Sequence, residues 1–430
     1  MRNERQVIEY MESLSGLGIV PGLDSIRTLC EKLGNPQDKL TFVHVAGTNG
    51  KGSVCAYMAS VLKHCRIQTG RYLSPTIFRY RERIQVNDKC ISVEALCRLT
   101  GQVREACDEM VREGLPHPTA FEMETVIGFL YFLEKGCDIV ILEAGMGGLM
   151  DATNLIHTTC LAVLTSVSMD HMKFLGDSLE KIAIQKAGII KPGCRVVTIN
   201  DDRTVLQVIE QAAQEKGCRL DVVCRADIRN VKYGLEKQRF DYGGYRKLEI
   251  SLAGRYQIEN CALAVKALQI LSECGFAIPE EKLRLGLLKT RWPGRFTVIG
   301  RKPYFLADGA HNEDAAKRLA ESITFYFTNK RIIYIMGVLK DKEYEKIIDL
   351  TCHLADQILT VTTPENPRAL PAHELAQAVM RVNPNVTETA SLEEAVEIAR
   401  LLAAKDDVII AFGSLSFLGR LMKIAGYEEK

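Results

Sequence analysis

The sequence predicts an α/β protein of two domains, and three observations carry that prediction. A short apolar run, "LTFVHVA" (40–46), opens directly into the glycine-rich "GTNGKGS" (47–53) and then into the helically periodic "SVCAYMASVLKHC" (53–65). Two further apolar runs, "DIVILEAG" (138–145) and "CLAVLTSVSMD" (160–170), follow the same plan and end in polar residues. Past a stretch holding Pro, Gly and the only tryptophan, "TRWPGRFTVIGRKP" (290–303), strand-like and helical segments begin to alternate again. Strands covered on both faces read as unbroken Val/Ile/Leu runs, and alternation of strands with helices specifies parallel sheets.

Each element has its own signal. "RQVIEYMESL" and "SIRTLCEKLG" show helical spacing, and Gly34 ends the second. The run at 40–46, the glycine loop and the following helix form a strand–loop–helix unit. In the second part the strands are "PYFLAD" (303–308), "RIIYIMGV" (331–338), "QILTVT" (357–362) and "DVIIAFGS" (407–414). "EDAAKRLAESI" and "SLEEAVEIARLLAAK" separate them as helices. A small doubly wound domain is the expected arrangement there.

Composition bounds the function. The 430 residues are 47% hydrophobic and 25% charged with a net charge of +1, the profile of an ordinary globular protein. Bulk charge therefore argues against a nucleic-acid or membrane-surface role. No run reaches the roughly 18 apolar residues of a membrane span, and "MRNERQVIEY" lacks the apolar centre of a signal peptide. The 14 cysteines form no CxxC pair, so a cytoplasmic protein with cysteines as small core residues is expected. No feature calls for an oligomer, and a monomer is expected.

"HVAGTNGKGS" (44–53) departs from the usual phosphate loop, in which four residues separate the first glycine from Gly-Lys. Only Thr48 and Asn49 lie between Gly47 and Gly50, and Gly52 separates Lys51 from Ser53. A plain strand-to-helix turn is one reading. Phosphate binding is the other, since a helix start offers unpaired N–H groups and a positive dipole end. Glu143 on the second strand, and Asp170 and His171 on the third, stand at carboxyl ends, where ligands of open α/β sheets sit.

A family resemblance resolves the loop. "HVAGTNGKGS", "LSP" (73–75), "PTAFEMET" (118–125), "LEAGMGGLMDATN" (142–154), "SMDHMKFLGDSLEKIAIQKAGIIKPG" (168–193), "RWPGR" (291–295), "DGAHN" (308–312) and "FGS" (412–414) occur in the order of one family. The chain resembles folylpolyglutamate synthase/dihydrofolate synthase, a branch of the Mur-ligase superfamily whose own loop has this short form. The resemblance implies a P-loop ATPase-like Mur-ligase central domain in 1–294 and a smaller Rossmann-like glutamate ligase domain in 295–430. It further implies an ATP-dependent ligase that adds L-glutamate to dihydropteroate, to folate polyglutamates, or to both, through an acyl phosphate. A folylpolyglutamate synthase alone is the alternative. A peptidoglycan ligase would place a UDP-sugar domain before the loop, and the 46 residues ahead of Gly47 are too few for one. A nucleotide-binding module without ligase chemistry is the remaining reading.

Residue roles carried over by the resemblance are as follows. Thr48, Asn49, Gly50, Lys51, Gly52 and Ser53 would hold ATP phosphates, with Asn260, Arg295 and Asp308 as further ATP contacts. The last two fall in the second domain, which implies closure that excludes water. Ser74, Glu143 and His171 match the family's Mg²⁺ ligands. Lys51, Lys186 and His171 are the implied catalytic residues, Lys186 as a carbamate. Thr119, Phe121 and Asp151, with Gly22 in the turn Pro21-Gly22-Leu23, match the pterin side. Departures are Thr76, Leu149, Gln185 and the pair Tyr256-Gln257, where the family often has His, Arg, Glu and His-Gln.

Overall fold

The computed structural model describes residues 3–18 and 22–428. They form two compact units. The first comprises Met1–Arg229, Asp241–Leu248 and Glu259–Thr290; the second comprises Asn230–Phe240, Glu249–Ile258 and Arg291–Lys430. Reading the sequence as two consecutive blocks does not anticipate that 230–240 and 249–258 belong to the second unit.

The first unit is built on eight strands: β1 (Phe42–Ala46), β2 (Thr69–Tyr72), β3 (Ile84–Val86), β4 (Lys89–Cys90), β5 (Ile139–Glu143), β6 (Thr159–Leu164), β7 (Arg195–Thr198) and β8 (Arg219–Val222). Their order is β4-β3-β2-β5-β1-β6-β7-β8. β2, β5, β1, β6, β7 and β8 run parallel, while β3 and β4 fold back as an antiparallel edge. β1 and β5 are buried along their whole length, which is why they carry no polar alternation.

The helix Lys51–His64 leaves the glycine loop and is buried from Gly52 to Leu62, so it lacks an amphipathic stripe. It packs against the helix Glu280–Lys289, where a side chain on Gly286 would stand 2.5 Å from the Val61 Cα. Ser60 Oγ donates to the Gly286 carbonyl at 2.8 Å across the same crossing. Only glycine permits that approach. On one face of the sheet, Phe42 packs with Ile26, Leu29, Val126, Phe129 and their neighbours in one core cluster.

Three further strands, β9 (Arg229–Lys232), β10 (Gln238–Tyr242) and β11 (Tyr245–Ile250), form a separate sheet. The second unit holds β12 (Thr297–Arg301), β13 (Tyr304–Ala307), β14 (Ile332–Met336), β15 (Gln357–Thr360), β16 (Val386–Glu388) and β17 (Val408–Phe412). Their order is β12-β13-β17-β14-β15-β16, with β12 the only antiparallel member. The four expected strands are the inner ones; the edges β12 and β16 have no apolar run to reveal them. Among the described residues no helix is long and apolar enough to cross a membrane. No disulfide joins the cysteines, and seven of them, Cys30, Cys55, Cys97, Cys107, Cys194, Cys261 and Cys352, are buried.

Candidate active site

β5, β1 and β6 lie side by side and parallel, with Val45 of β1 opposite Glu143 on one side and Val163 on the other. The strand ends that carry the glycine loop, Glu143 and the 165–171 segment therefore share one edge of the sheet. The chain leaves β1 towards β2 on one side and reaches β6 on the other, so this edge is also where strand order reverses.

The loop is fixed by the segment that follows β6. Thr48 N donates to the Ser166 carbonyl at 2.7 Å, Ser166 Oγ donates to the Asn49 carbonyl at 3.2 Å, and Thr48 Oγ1 both donates to Ser168 O and accepts from Ser168 N at 3.0 Å. Asn200 braces that segment in turn, accepting from Val167 N at 2.8 Å and donating to Thr165 O at 2.7 Å. Gly50 caps the helix at φ 90°, and a Cβ there would stand 2.5 Å from Asn260 Oδ1. Asn260 thus lies against the loop. A Gly50→Ala variant is expected to lose about 1–3 kcal/mol of stability from the left-handed backbone and to raise the KM for ATP. Thermal denaturation and ATP titration check this; an unchanged melting temperature contradicts it.

Two lysine side chains converge on one carbonyl. Lys51 Nζ donates to Gly47 O at 3.0 Å and Thr48 O at 3.2 Å, and Lys186 Nζ donates to the same Gly47 O at 2.8 Å. Lys186 is only 3% exposed. It sits near the end of the helix Leu179–Ala187, whose N-cap is Ser178. Burial, reinforced by the neighbouring Lys51 ammonium, lowers its pKa to about 7. The Lys51 ammonium beside a helix start forms a place that gains from an anion. Ser53, one turn on, is also buried.

Ser74 is half-buried after β2, and Glu143 is 5% exposed at the end of β5. His171 takes a left-handed backbone (φ 50°) at the start of the short helix Met172–Leu175, and its ring is exposed near Asp170. Among the described residues no cluster of three or more His, Cys, Asp or Glu is assembled. The expected set has only two such residues, its third donor being a serine hydroxyl.

On the pterin side, Thr119 caps the helix Ala120–Glu134 in a reciprocal box with Glu122. Phe121 presses on the loop after β5, since a Cβ on Gly145 would lie 2.6 Å from its ring. Asp151 is buried and accepts from Met146 N at 2.7 Å, Thr153 N at 3.0 Å and Thr153 Oγ1 at 2.5 Å. Burial raises its pKa despite these donors. His44 Nε2 lies 2.9 Å from the same Thr153 Oγ1. Gly22 has φ 134° with open space beside it, and Leu23 packs on the first core cluster; Pro21 lies outside the described residues.

In the second unit Asp308 is buried and accepts from Tyr256 OH at 2.7 Å, Phe296 N at 2.8 Å and Ala310 N at 2.8 Å. Burial raises its pKa. Tyr256, one of the departures, therefore has a definite role as an Asp308 donor. Arg295 lies over Gly309, where a Cβ would meet Nη1 at 2.1 Å. Leu149 N donates to the Gln185 carbonyl at 2.7 Å, so the backbone at Gln185 orders the loop whatever its side chain. Sequence reading did not single out His44 or Asn200 and marked Tyr256 only as a departure; a polar residue inside or at the end of an apolar run does not by itself separate core from site.

Comparison with known proteins identifies the family and the fold. The profile described as "Mur ligase middle domain" matches residues 45–268, and that described as "Mur ligase, glutamate ligase domain" matches 294–415. Fold and loop define an ATP-dependent ligase of the Mur type. The dihydrofolate synthase/folylpolyglutamate synthase of Bacillus subtilis is 34% identical over 413 residues, covering 94% of this chain and 95% of its own. Mycobacterium tuberculosis folylpolyglutamate synthase, solved with ADP and AMPPCP, superposes with a TM-score of 0.90 at 26% identity, covering 99% of each chain. FolC of E. coli, solved with DHPP and ADP, gives 0.85 at 27% identity over 97% of each chain. The chain belongs to the folylpolyglutamate synthase/dihydrofolate synthase family.

Proposed function

We propose that this ligase joins L-glutamate to dihydropteroate and to reduced folates, phosphorylating the substrate carboxylate with ATP before the amine attacks. The observation that carries the reading is the pair of lysines on Gly47 O at the start of the helix Lys51–His64. A free carboxylate is a poor acyl donor. Transfer of the γ-phosphoryl group to one carboxylate oxygen, with ADP leaving, gives an acyl phosphate. The glutamate nitrogen then bonds to that carbonyl carbon, inorganic phosphate departs, and the amine releases a proton.

Within this scheme the N–H groups from Gly50 to Ser53 cradle phosphate oxygens, and Lys51 exchanges its loop carbonyls for the β/γ-phosphates. Asn260, Arg295 and Asp308 are proposed as nucleotide contacts. The donor set of Ser74, Glu143 and His171, a hydroxyl, a carboxylate and an imidazole, fits Mg²⁺, with the buried carboxylate supplying the hard oxygen. Magnesium would neutralise phosphate charge during transfer. Lys186, with a pKa near 7, presents a neutral amine able to add CO₂, which supports the carbamate. Phe121 offers an aromatic face and Asp151 a carboxylate to the pterin.

Coupled ADP release tests the reading. Turnover is expected to require Mg²⁺-ATP, L-glutamate and a pteroyl substrate together; ATP hydrolysis indifferent to glutamate and pteroyl compounds contradicts it. Comparing rates on dihydropteroate and tetrahydrofolate separates the two activities, and both are expected.

A further inference from the structure

We propose that His44 is a positioning residue for the pteroyl side of the reaction: a neutral imidazole protonated on Nε2 that holds the Thr153 hydroxyl, and through it Asp151 and the loop after β5. The proposal rests on the reading of Asp151 as a pteroyl contact. Thr153 has one hydroxyl hydrogen, and its Oγ1 stands 2.5 Å from Asp151 Oδ1. Asp151 also takes N–H groups on both oxygens, from Thr153 on Oδ1 and Met146 on Oδ2, the pattern of an ionised acceptor. The hydroxyl hydrogen therefore goes to Asp151. The 2.9 Å contact between Thr153 Oγ1 and His44 Nε2 must then be donated by the ring.

The other ring nitrogen agrees. His44 is fully buried, and its Nδ1 has no hydrogen-bond partner among the described residues. A proton there would be sealed in without an acceptor, and burial, aided by the Lys191 charge, lowers the ring's pKa to about 3. Strand alternation puts His44 on the Phe42 side of β1. The core cluster on that side contains no residue of the helix Lys51–His64. The relay thus reaches the loop at 145–153 without passing through the phosphate-side helix.

The experiment pairs kinetics with histidine nitrogen NMR on the full chain. His44→Leu is expected to raise the KM for dihydropteroate about tenfold, the loss of one buried hydrogen bond, with the KM for ATP changed less than about twofold. His44→Gln, which keeps an N–H donor, should recover most of that loss. In the wild type, the His44 ring should show a protonated Nε2 and a bare Nδ1 at neutral pH, a readout that survives even if the leucine variant fails to fold. A proton on Nδ1, or equal changes in both KM values, overturns the proposal. Asp151→Asn with an unchanged dihydropteroate KM overturns the reading of Asp151 itself. A raised KM there, beside a normal one in His44→Leu, overturns the relay alone.

Discussion

Replacing Lys51 with alanine is expected to lower kcat by roughly ten- to over a hundredfold, the loss of one charge-assisted bond to the reacting phosphates. The fold should survive. Lys51 is the first residue of its helix, and its ammonium holds only two loop carbonyls, one of which Lys186 also reaches. The helix itself is anchored by its buried residues from Val54 to Leu62. Steady-state turnover beside a melting curve checks the prediction. Near-normal activity would show that the loop does not grip the transferring group.

Lys186→Ala is expected to cost about 10²–10³ in kcat, the magnitude for losing one preorganised stabilising group. If the carbamate operates, a short-chain carboxylic acid added to this variant should restore part of the rate. The same lysine leaves a signature in stability. Its folded pKa is about 7 against an ordinary 10.5. Between those values the unfolded chain holds a proton that the folded chain has released, so stability rises with pH across that window. Below about 7 the full penalty of a buried ammonium applies. Lys186→Met should therefore be more stable than the parent at pH 7, by on the order of a few kcal/mol, and the difference should shrink towards pH 10. Melting curves of nucleotide-free protein in CO₂-depleted buffer measure it. Equal melting temperatures at both pH values would show that Lys186 is not buried as an amine.

These two lysines mark how far the sequence could be read. β1, β5, β6 and the inner strands of the second unit are legible because a strand covered on both faces must be apolar throughout. β2 is not: "TGRY" carries a glycine that admits Phe132, 2.8 Å from a notional Cβ, and an arginine whose Nη2 donates to Gln85 at 2.5 Å. β12 hides in a stretch whose Pro, Gly and Trp read as a boundary. Lys51 announces itself through its glycines. Lys186 does not, since "EKIAIQKA" has the composition of a surface helix and only the fold reveals the burial that makes its amine unusual. Asp151 shows the reverse case. Its resemblance to a pterin contact says nothing of the three donors from Met146 and Thr153 that hold it. Hydrogen-bond partners distant in sequence leave no periodicity behind.

The most direct measurement is a crystal structure with a non-hydrolysable ATP analogue and Mg²⁺. The β- and γ-phosphates should rest on the N–H groups from Gly50 to Ser53, with Lys51 Nζ moved from the Gly47 carbonyl onto phosphate oxygen. A nucleotide bound away from this loop, with Lys51 still on Gly47 and Thr48, would contradict the account.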